Sequence, residues 1–276
     1  MNLQTALRQG AELLERGAIP APRLTAEVLL CHALDRERVY LYAHPEEEIS
    51  ERAWARYGRS LDERLGGKPT QYITGRQEFY GREFRVGPAV LIPRPETEHV
   101  VETALPLCAA GARVADAGCG SGAIAVTLAL ETAAGVWATD ISLEALALAG
   151  ENARRLGARV HFLACDLLTA LPAASMDVVV SNPPYVPDGD AGGLSREIRE
   201  HEPAVALFAG PAGTEIYRRL AEQAPRVLKP GGWIVLELGF KMAAAVEALF
   251  TGPWTEARAT PDLAGFPRVF CARFAP

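Results

Sequence analysis

The sequence ARVADAGCGSGAIAV, residues 112–126, contains the pattern that decides the fold: a short apolar run, three alternating glycines and a second apolar run. The first run predicts a buried strand, and the residues from Ala123 onward predict a helix. Glycines at 118, 120 and 122 permit a tight turn and allow a ligand to lie against bare backbone. The stretch therefore indicates a strand–loop–helix unit of the kind that begins a wound α/β domain.

Similar apolar runs recur toward the C-terminus: GVWATD at 135–140, RVHFLA at 159–164, MDVVVS at 176–181 and GWIVLEL at 232–238. Because segments of helical period or loops separate them, we predict a parallel sheet wound with helices on both faces. The last two runs, WTEARAT at 254–260 and RVFCAR at 268–273, are too close for a crossover helix, so we expect antiparallel pairing at one edge. The predicted fold class is α/β, a doubly wound, mostly parallel, seven-stranded sheet with an antiparallel edge strand.

The residues toward the N-terminus have a different pattern. Leucines recur at helical spacing from Leu3 to Leu14, and a later apolar set follows Ser50, which suits a helix N-cap. No alternating pattern occurs there, so a small helical bundle is expected. The aromatic and glycine-containing segment EFYGREFRVGPAVLI, 78–92, predicts a β-hairpin. We therefore predict a helical bundle at 1–75, a linking hairpin at 76–92 and a sheet domain at 93–276.

Composition limits the class of protein. The 276 residues are 49% hydrophobic with a formal net charge of −6, which predicts a sizeable core and argues against nonspecific nucleic-acid binding. The five cysteines have no metal-ligand spacing, which indicates a reducing compartment and no metal site. The N-terminus lacks a signal-peptide pattern, and no apolar run is long enough to span a membrane. We therefore expect a cytoplasmic protein.

Asp140 ends the second predicted strand, 22 residues after Gly118, where a carboxylate can accept hydrogen bonds from the two hydroxyls of a ribose. The glycine spacing G-x-G-x-G differs from the dinucleotide pattern G-x-G-x-x-G. Asp116 precedes the loop, and its charge would repel a pyrophosphate but suits a ligand that carries an ammonium or sulfonium group. These features favour S-adenosylmethionine over NAD as the cofactor.

Asp166 and Leu167 follow the third predicted strand, at the position where an adenine ring would lie. Leu167 is placed to pack on the base. A turn-forming aspartate and a core leucine explain the same two residues, and the sequence leaves both interpretations open.

The segment Ser181-Asn182-Pro183-Pro184-Tyr185 follows the fourth strand, at the same sheet edge as the glycine loop. The two prolines lack N–H groups and favour extended conformations at Asn182 and Pro183. The turn therefore presents two acceptors, the Asn182 side-chain oxygen and the Pro183 carbonyl, which suit both hydrogens of an NH₂ group on a planar system. Tyr185 can stack on that plane. A rigid Pro-Pro turn with a partly buried tyrosine is the alternative interpretation.

A glycine loop combined with Asn-Pro-Pro-Tyr is similar to the class I methyltransferases that act on exocyclic or amide nitrogens. Nearly the whole chain resembles one branch, the release factor glutamine methyltransferase family. The further stretches that carry this resemblance are QYITG at 71–75, FYG at 79–81, LIPRPETE at 91–98, Glu202-Pro203 and LKPGG at 228–232. PRPETE followed downstream by NPPY is the most specific element. Leu167 departs from the pattern, because some members carry an aromatic residue there.

The resemblance implies a Rossmann-like domain that transfers a methyl group from S-adenosylmethionine to the side-chain nitrogen N5 of a glutamine and releases S-adenosylhomocysteine. The implied substrate is the Gly-Gly-Gln motif of class I peptide-chain release factors, recognised through the N-terminal bundle. The alternatives are a ribosomal-protein glutamine methyltransferase and a DNA or RNA exocyclic-amine methyltransferase. The glycine spacing and NPPY disfavour a dehydrogenase, and the two intact motifs disfavour a non-catalytic binding module. We expect a monomer without direct nucleic-acid or membrane binding.

The residue roles that follow from the motifs and the resemblance fall into three sets. The catalytic residues are Asn182, Pro183 and Tyr185. The substrate-binding residues are Asn182, Pro183, Pro184 and Tyr185. The cofactor-binding residues are Gly118, Cys119, Gly120, Ser121, Gly122, Asp140, Asp166, Leu167 and Asn182. The sequence does not decide whether Arg94 or Glu96 contacts a ligand.

Overall fold

The computed structural model describes residues 1–276 and contains two compact units. The first, the helical unit, consists of Met1–Arg76 together with Ser195–His201. The second, the sheet unit, consists of Gln77–Leu194 and Glu202–Pro276. The division into domains at 1–75, 76–92 and 93–276 stays a prediction.

The helical unit contains six helices, and the apolar sides of the first five meet in one core. The helices are α1 Leu3–Arg16, α2 Pro22–Leu34, α3 Arg38–Ala43, α4 Glu51–Leu65, α5 Thr70–Thr74 and α9 Arg196–His201. The Ser50 hydroxyl accepts a hydrogen bond from the Ala53 N–H at 3.3 Å, which confirms the predicted N-cap of α4. Buried Arg64 of α4 forms an ion pair with Glu197 of α9 at 2.7 Å. This contact explains how a segment so distant in sequence belongs to the helical unit.

Two helical glycines of this unit differ in the space around them, one crowded and one open. We therefore expect their replacement by alanine to have opposite effects on stability. A Cβ at Gly10 in α1 would overlap the hydroxyl of the fully buried Tyr57, whereas a Cβ at Gly58 in α4 would meet nothing within 4 Å. Gly10→Ala should destabilise the protein by about 1–3 kcal/mol through overpacking, despite the better helix propensity of alanine. Gly58→Ala, the matched control, should stabilise it by about 0.5–1 kcal/mol. Urea unfolding measures both; a stabilising Gly10→Ala would contradict the packing argument.

The sheet unit contains the following strands and helices. The main sheet is formed by β3 Arg113–Ala117, β4 Gly135–Asp140, β5 Val160–Ala164, β6 Met176–Ser181, β9 Leu228–Glu237, β10 Trp254–Pro261 and β11 Pro267–Phe274. Two small sheets pair β1 Arg76–Phe79 with β2 Arg82–Arg85 and β7 Val186–Pro187 with β8 Phe208–Gly210. The helices are α6 Glu98–Ala104, α7 Ala123–Glu131, α8 Leu143–Leu156, α10 Glu215–Val227 and α11 Ala243–Glu247. None of the helices in the chain has the length and apolar character needed to cross a membrane.

The main sheet has seven strands in the order β10-β11-β9-β6-β3-β4-β5. The pairings from β9 through β5 are parallel, while β11 is antiparallel to both β9 and β10. This confirms the predicted doubly wound, mostly parallel α/β fold. The antiparallel strand lies one position inside the edge, because β11 sits between β9 and β10.

Alternate side chains of the central strands supply two separate cores. Val178 of β6 and Val114 of β3 belong to a cluster with residues of α6, α7 and α8, whereas Val179 and Ala115 belong to a cluster with residues of α10. A strand buried on both faces needs apolar residues at successive positions, which is why MDVVVS reads as a continuous apolar run. This packing holds the central strands rigidly and fixes the loops that follow their carboxyl ends.

Candidate functional site

The glycine loop after β3 has the backbone conformation that its residue types allow. Gly118, Gly120 and Gly122 have φ angles of 73°, 53° and 80°, in the left-handed region that disfavours other residues. A Cβ at Gly118 or Gly120 would meet no atom within 4 Å, whereas one at Gly122 would lie 3.1 Å from the Cβ of Ala149 in α8. The first two glycines therefore leave space for a ligand, and the third permits close packing of the following helix.

Asp140, at the end of β4, holds the glycine loop and the next loop together. Its Oδ2 accepts a hydrogen bond from the Gly120 N–H and its Oδ1 accepts one from the Ser142 N–H, both at 2.9 Å. An ionised carboxylate has about four acceptor sites, so two more hydrogen bonds can be accepted from a ligand. Asp140 lines the cleft beside the glycine loop.

Asp116, whose charge was expected to influence the choice of ligand, lies away from the cleft. It is fully buried, does not line the cleft, and accepts a hydrogen bond from the Ala125 N–H at the start of α7 through Oδ2 at 3.1 Å. Its Oδ1 has no hydrogen-bond partner in the protein. Burial raises the pKa of the Asp116 carboxyl to about 7. Asp116 therefore supports the first turn of the helix and does not contact a ligand in the cleft directly.

Asp166 and Leu167 line the cleft after β5. The Asp166 carboxylate forms an ion pair with Arg219 of α10. Leu167 has a φ of 50°, and its carbonyl accepts a hydrogen bond from the Thr139 hydroxyl at 2.7 Å. The Leu167 side chain also packs against one of the two cores. The turn, the core contact and the position beside the cleft thus coexist in these two residues.

Asn182 begins the loop that follows β6. The preceding Ser181 is buried, and its hydroxyl donates to the Ala117 carbonyl at 2.6 Å, which ties this loop to the end of β3. The Asn182 side-chain nitrogen Nδ2 donates to the Thr97 hydroxyl at 3.1 Å. Because the nitrogen is used in this way, the amide keeps its oxygen Oδ1 as a hydrogen-bond acceptor, and Asn182 lines the cleft.

The rest of the NPPY segment divides between the cleft and the core. Pro184 lines the cleft, while Pro183 is buried and Tyr185 is half-buried. The Tyr185 ring lies against Gly239, where an added Cβ would be 2.8 Å from the ring. Burial raises the pKa of the Tyr185 phenol to about 12, so the phenol is neutral near pH 7.

Most of the predicted site residues line one cleft, which has a volume of about 200 Å³, more than ten times what one water molecule needs. Of these residues, the cleft is lined by Gly118, Cys119, Gly120, Ser121, Asp140, Asp166, Leu167, Asn182 and Pro184. Gly122, Pro183 and Tyr185 do not line it. Arg94 and Glu96 do not line it either, and Arg94 forms an ion pair with the buried Glu202.

The cleft also contains residues that the sequence did not single out. Ile141 is 63% exposed although it is a large apolar residue, and it follows Asp140 directly. Val205, Ile216 and Arg219 also line the cleft, as does Thr97, which enters the sequence pattern only as part of LIPRPETE. An isoleucine directly after a strand-ending aspartate is a sequence signal for an apolar wall, whereas no sequence pattern placed Val205, Ile216 or Arg219 at the cleft.

Comparison with known proteins places this architecture in a family. The family model described as "PrmC N-terminal domain" matches residues 5–75, and the family model described as "Methyltransferase small domain" matches residues 97–198. The release factor glutamine methyltransferase of Koribacter versatilis is 47% identical over 277 residues, which cover 99% of each chain. The chain belongs to the release factor glutamine methyltransferase family. The member from Nitratidesulfovibrio vulgaris is 43% identical over 280 residues, covering 98% of this chain and 95% of its own.

Solved structures agree with the fold of this family. A methyltransferase from Pyrococcus furiosus aligns with a TM-score of 0.54 over 72% of this chain and 91% of its own, at 18% identity. The chain is thus a methyltransferase of class I fold. This assignment excludes the dehydrogenase and the non-catalytic binding module that the glycine loop alone left open.

Proposed function

We propose that the protein transfers a methyl group from S-adenosylmethionine to the side-chain nitrogen N5 of the glutamine in the Gly-Gly-Gln motif of class I peptide-chain release factors. The observation that carries the proposal is the Asn182 amide, held through its nitrogen at 3.1 Å from Thr97 with its oxygen left as an acceptor beside the glycine loop. Membership in the family supports the choice of a glutamine in a release factor over a ribosomal protein or a nucleic-acid base.

The residues of the cleft suit S-adenosylmethionine. Asp140 has acceptor capacity left for ribose hydroxyls, and Ile141 and Leu167 offer apolar surface for the adenine ring. Gly118 and Gly120 bring bare backbone to the ligand. The bound cofactor would supply a methyl group on a sulfonium, which is already an activated leaving group.

The chain's own contribution to catalysis lies in orientation and electrostatics. An amide nitrogen is a poor nucleophile because its lone pair is shared with the carbonyl, and positive charge builds on it during methyl transfer. Asn182 Oδ1 and the Pro183 carbonyl would accept its two hydrogens and stabilise that charge most strongly in the transition state. They also aim the nitrogen at the methyl group, and such orientation can contribute up to ~7–11 kcal/mol in ideal cases.

The mechanism needs no general base. After transfer the nitrogen is strongly acidic, so its proton can leave to water. Tyr185 is unsuited to act as a base, because burial raises its pKa to about 12. Its role in the proposal is to pack beside the amide plane.

The proposal includes a protein partner and a place of action. The helical unit would recognise the release factor, and the enzyme would act as a cytoplasmic monomer without binding nucleic acid. The net charge of −6 supports the last point, since a polyanion would be repelled.

The function is tested by incubating the protein with S-adenosylmethionine labelled in the methyl group and, separately, a purified class I release factor, ribosomal protein or nucleic acid. We expect label on the release factor only, and no label on a release factor whose Gly-Gly-Gln glutamine is replaced by alanine. Equal labelling of the alanine variant would overturn the proposed target, and label on nucleic acid would favour the alternative function.

A further inference from the structure

A buried chain of three side chains ends at the proposed catalytic amide. Asn182 Nδ2 donates to Thr97 Oγ1 at 3.1 Å, and the Thr97 hydroxyl donates to Glu237 Oε2 at 2.5 Å. Thr97 is 4% exposed and belongs to the short 3₁₀ turn Pro95–Thr97 before α6, while Glu237 is 1% exposed and ends β9. These two hydrogen bonds thus join three loops or strand ends that are far apart in sequence.

We propose that Thr97 and Glu237 are positioning residues that fix which end of the Asn182 amide faces the substrate. The inference rests on the proposed function, in which Oδ1 must face the glutamine nitrogen. A threonine hydroxyl has one hydrogen, and the Glu237 carboxylate, an acceptor without a hydrogen to give, takes it. Thr97 can then only accept from Asn182. That requirement places the amide nitrogen at Thr97 and leaves the amide oxygen for the substrate.

The opposite orientation of the amide would be unproductive. It would turn the NH₂ group of Asn182 toward the NH₂ group of the substrate glutamine, so that two donors would face each other without an acceptor. The two ends of an amide have nearly the same shape, so packing alone discriminates between them poorly. A directional hydrogen-bond chain supplies the discrimination that packing lacks.

The protonation state of Glu237 determines which way the hydrogen bonds between Asn182, Thr97 and Glu237 point. Burial raises the pKa of this carboxyl to about 7, Arg268 and Arg94 oppose the increase, and Glu96 adds to it. Two tyrosines complete its surroundings: Tyr217 donates its hydroxyl to the Glu237 carbonyl, and Tyr185 stays neutral. Below pH 7 the protonated carboxyl can donate to Thr97, which frees the Thr97 hydrogen for Asn182 Oδ1 and permits the unproductive orientation.

The first test removes the hydroxyl of Thr97. Thr97→Val keeps the shape and should lower kcat for release-factor methylation by about 10–100-fold, the effect of a misplaced reacting group, while KM and the dissociation constant of S-adenosylmethionine change by less than about threefold. Thr97→Ser keeps the hydroxyl and should restore most of the rate. Thr127→Val is the matched control, because Thr127 is fully buried, its hydroxyl has no hydrogen-bond partner, and the residue does not line the cleft.

The second test uses the pH profile, which a merely structural role would leave unchanged. With the Glu237 pKa near 7, kcat of the wild type should fall about tenfold from pH 8 to pH 6. Glu237→Gln should give a lower rate that is flat over this range, and Thr127→Val should keep the wild-type profile. The glutamine variant should fold, because the raised folded-state pKa means that ionisation of the carboxyl lowers stability as pH rises from about 4.5 to about 7, with a constant loss above that, and a neutral glutamine avoids this loss.

The outcomes separate this inference from the function on which it rests. If the wild type does not methylate the release factor at the glutamine, the proposed function fails. If the wild type does so and both Thr97→Val and Thr97→Ala keep its kcat, or Glu237→Gln keeps its pH profile, the positioning role is overturned. Thermal melting of each variant identifies any loss of rate that comes from unfolding, and the alanine variant replaces the valine one if the latter does not fold.

Discussion

Asn182→Ala is expected to abolish methyl transfer to the release factor while the affinity for S-adenosylmethionine stays within a few-fold of the wild type. The substitution removes the acceptor Oδ1 and leaves the Pro183 carbonyl alone to orient the glutamine NH₂ group. Removal of one preorganised hydrogen-bond partner of transition-state charge costs about 10²–10³-fold in kcat, and lost orientation adds to this. Methyl-label incorporation measures the rate, and calorimetry measures cofactor binding.

A neighbouring residue provides the control for this prediction. Ser181→Ala removes the hydroxyl that donates to the Ala117 carbonyl at 2.6 Å, so it loosens the same loop without touching the amide. We expect it to lower the free energy of unfolding by about 1 kcal/mol and to change kcat far less than Asn182→Ala does. Near-normal turnover by Asn182→Ala would refute the mechanism. A Ser181→Ala variant as inactive as Asn182→Ala would instead assign the effect to the position of the loop.

The fold was largely predictable because its determinants are local. Each central strand is a short apolar run buried on both faces, and the spacing between the last two runs already required β10 and β11 to pair antiparallel. The short helices α3, α5 and α9 were not predicted, since five or six residues are too few to show a helical period. The attachment of α9 to the helical unit through Arg64 and Glu197 joins residues 133 positions apart in sequence, for which a sequence contains no local signal.

The candidate site also has one part that the sequence predicts and another that it does not. The glycine loop, Asp140 and the NPPY segment follow strand ends, so one rule about the carboxyl edge of a parallel sheet predicts that they meet. Thr97 lies 85 residues from Asn182 and 140 from Glu237. The family resemblance pairs PRPETE, which contains Thr97, with NPPY, but no sequence pattern predicts that these three side chains are hydrogen-bonded to one another. Asp116 shows the opposite case: its place beside the glycine loop in sequence suggested that its charge acts on the ligand, but the side chain of a strand residue points to one face of the sheet and here is buried beside α7.

Asp140→Ala is expected to weaken S-adenosylmethionine binding by about 10–100-fold, the loss of one or two charge-assisted hydrogen bonds to the ribose. Calorimetry gives the dissociation constant, and an unchanged value would refute the ribose role. A weaker affinity alone does not isolate that role, because Asp140 also holds the Gly120 and Ser142 N–H groups at 2.9 Å. The loops could lose their positions without any lost ligand contact.

A ligand with one ribose hydroxyl removed separates the two effects. The wild type should bind the 2′-deoxy form of S-adenosylhomocysteine more weakly than S-adenosylhomocysteine itself, because one hydrogen bond to Asp140 is missing. Asp140→Ala should bind the two ligands alike, since the acceptor is already absent; the difference between the two comparisons is the coupling energy. If the deoxy ligand loses the same affinity in both proteins, Asp140 acts on the cofactor only by holding the loops, and the ribose contact is wrong. A coupling close to the full loss in the wild type assigns the carboxylate directly to the ribose.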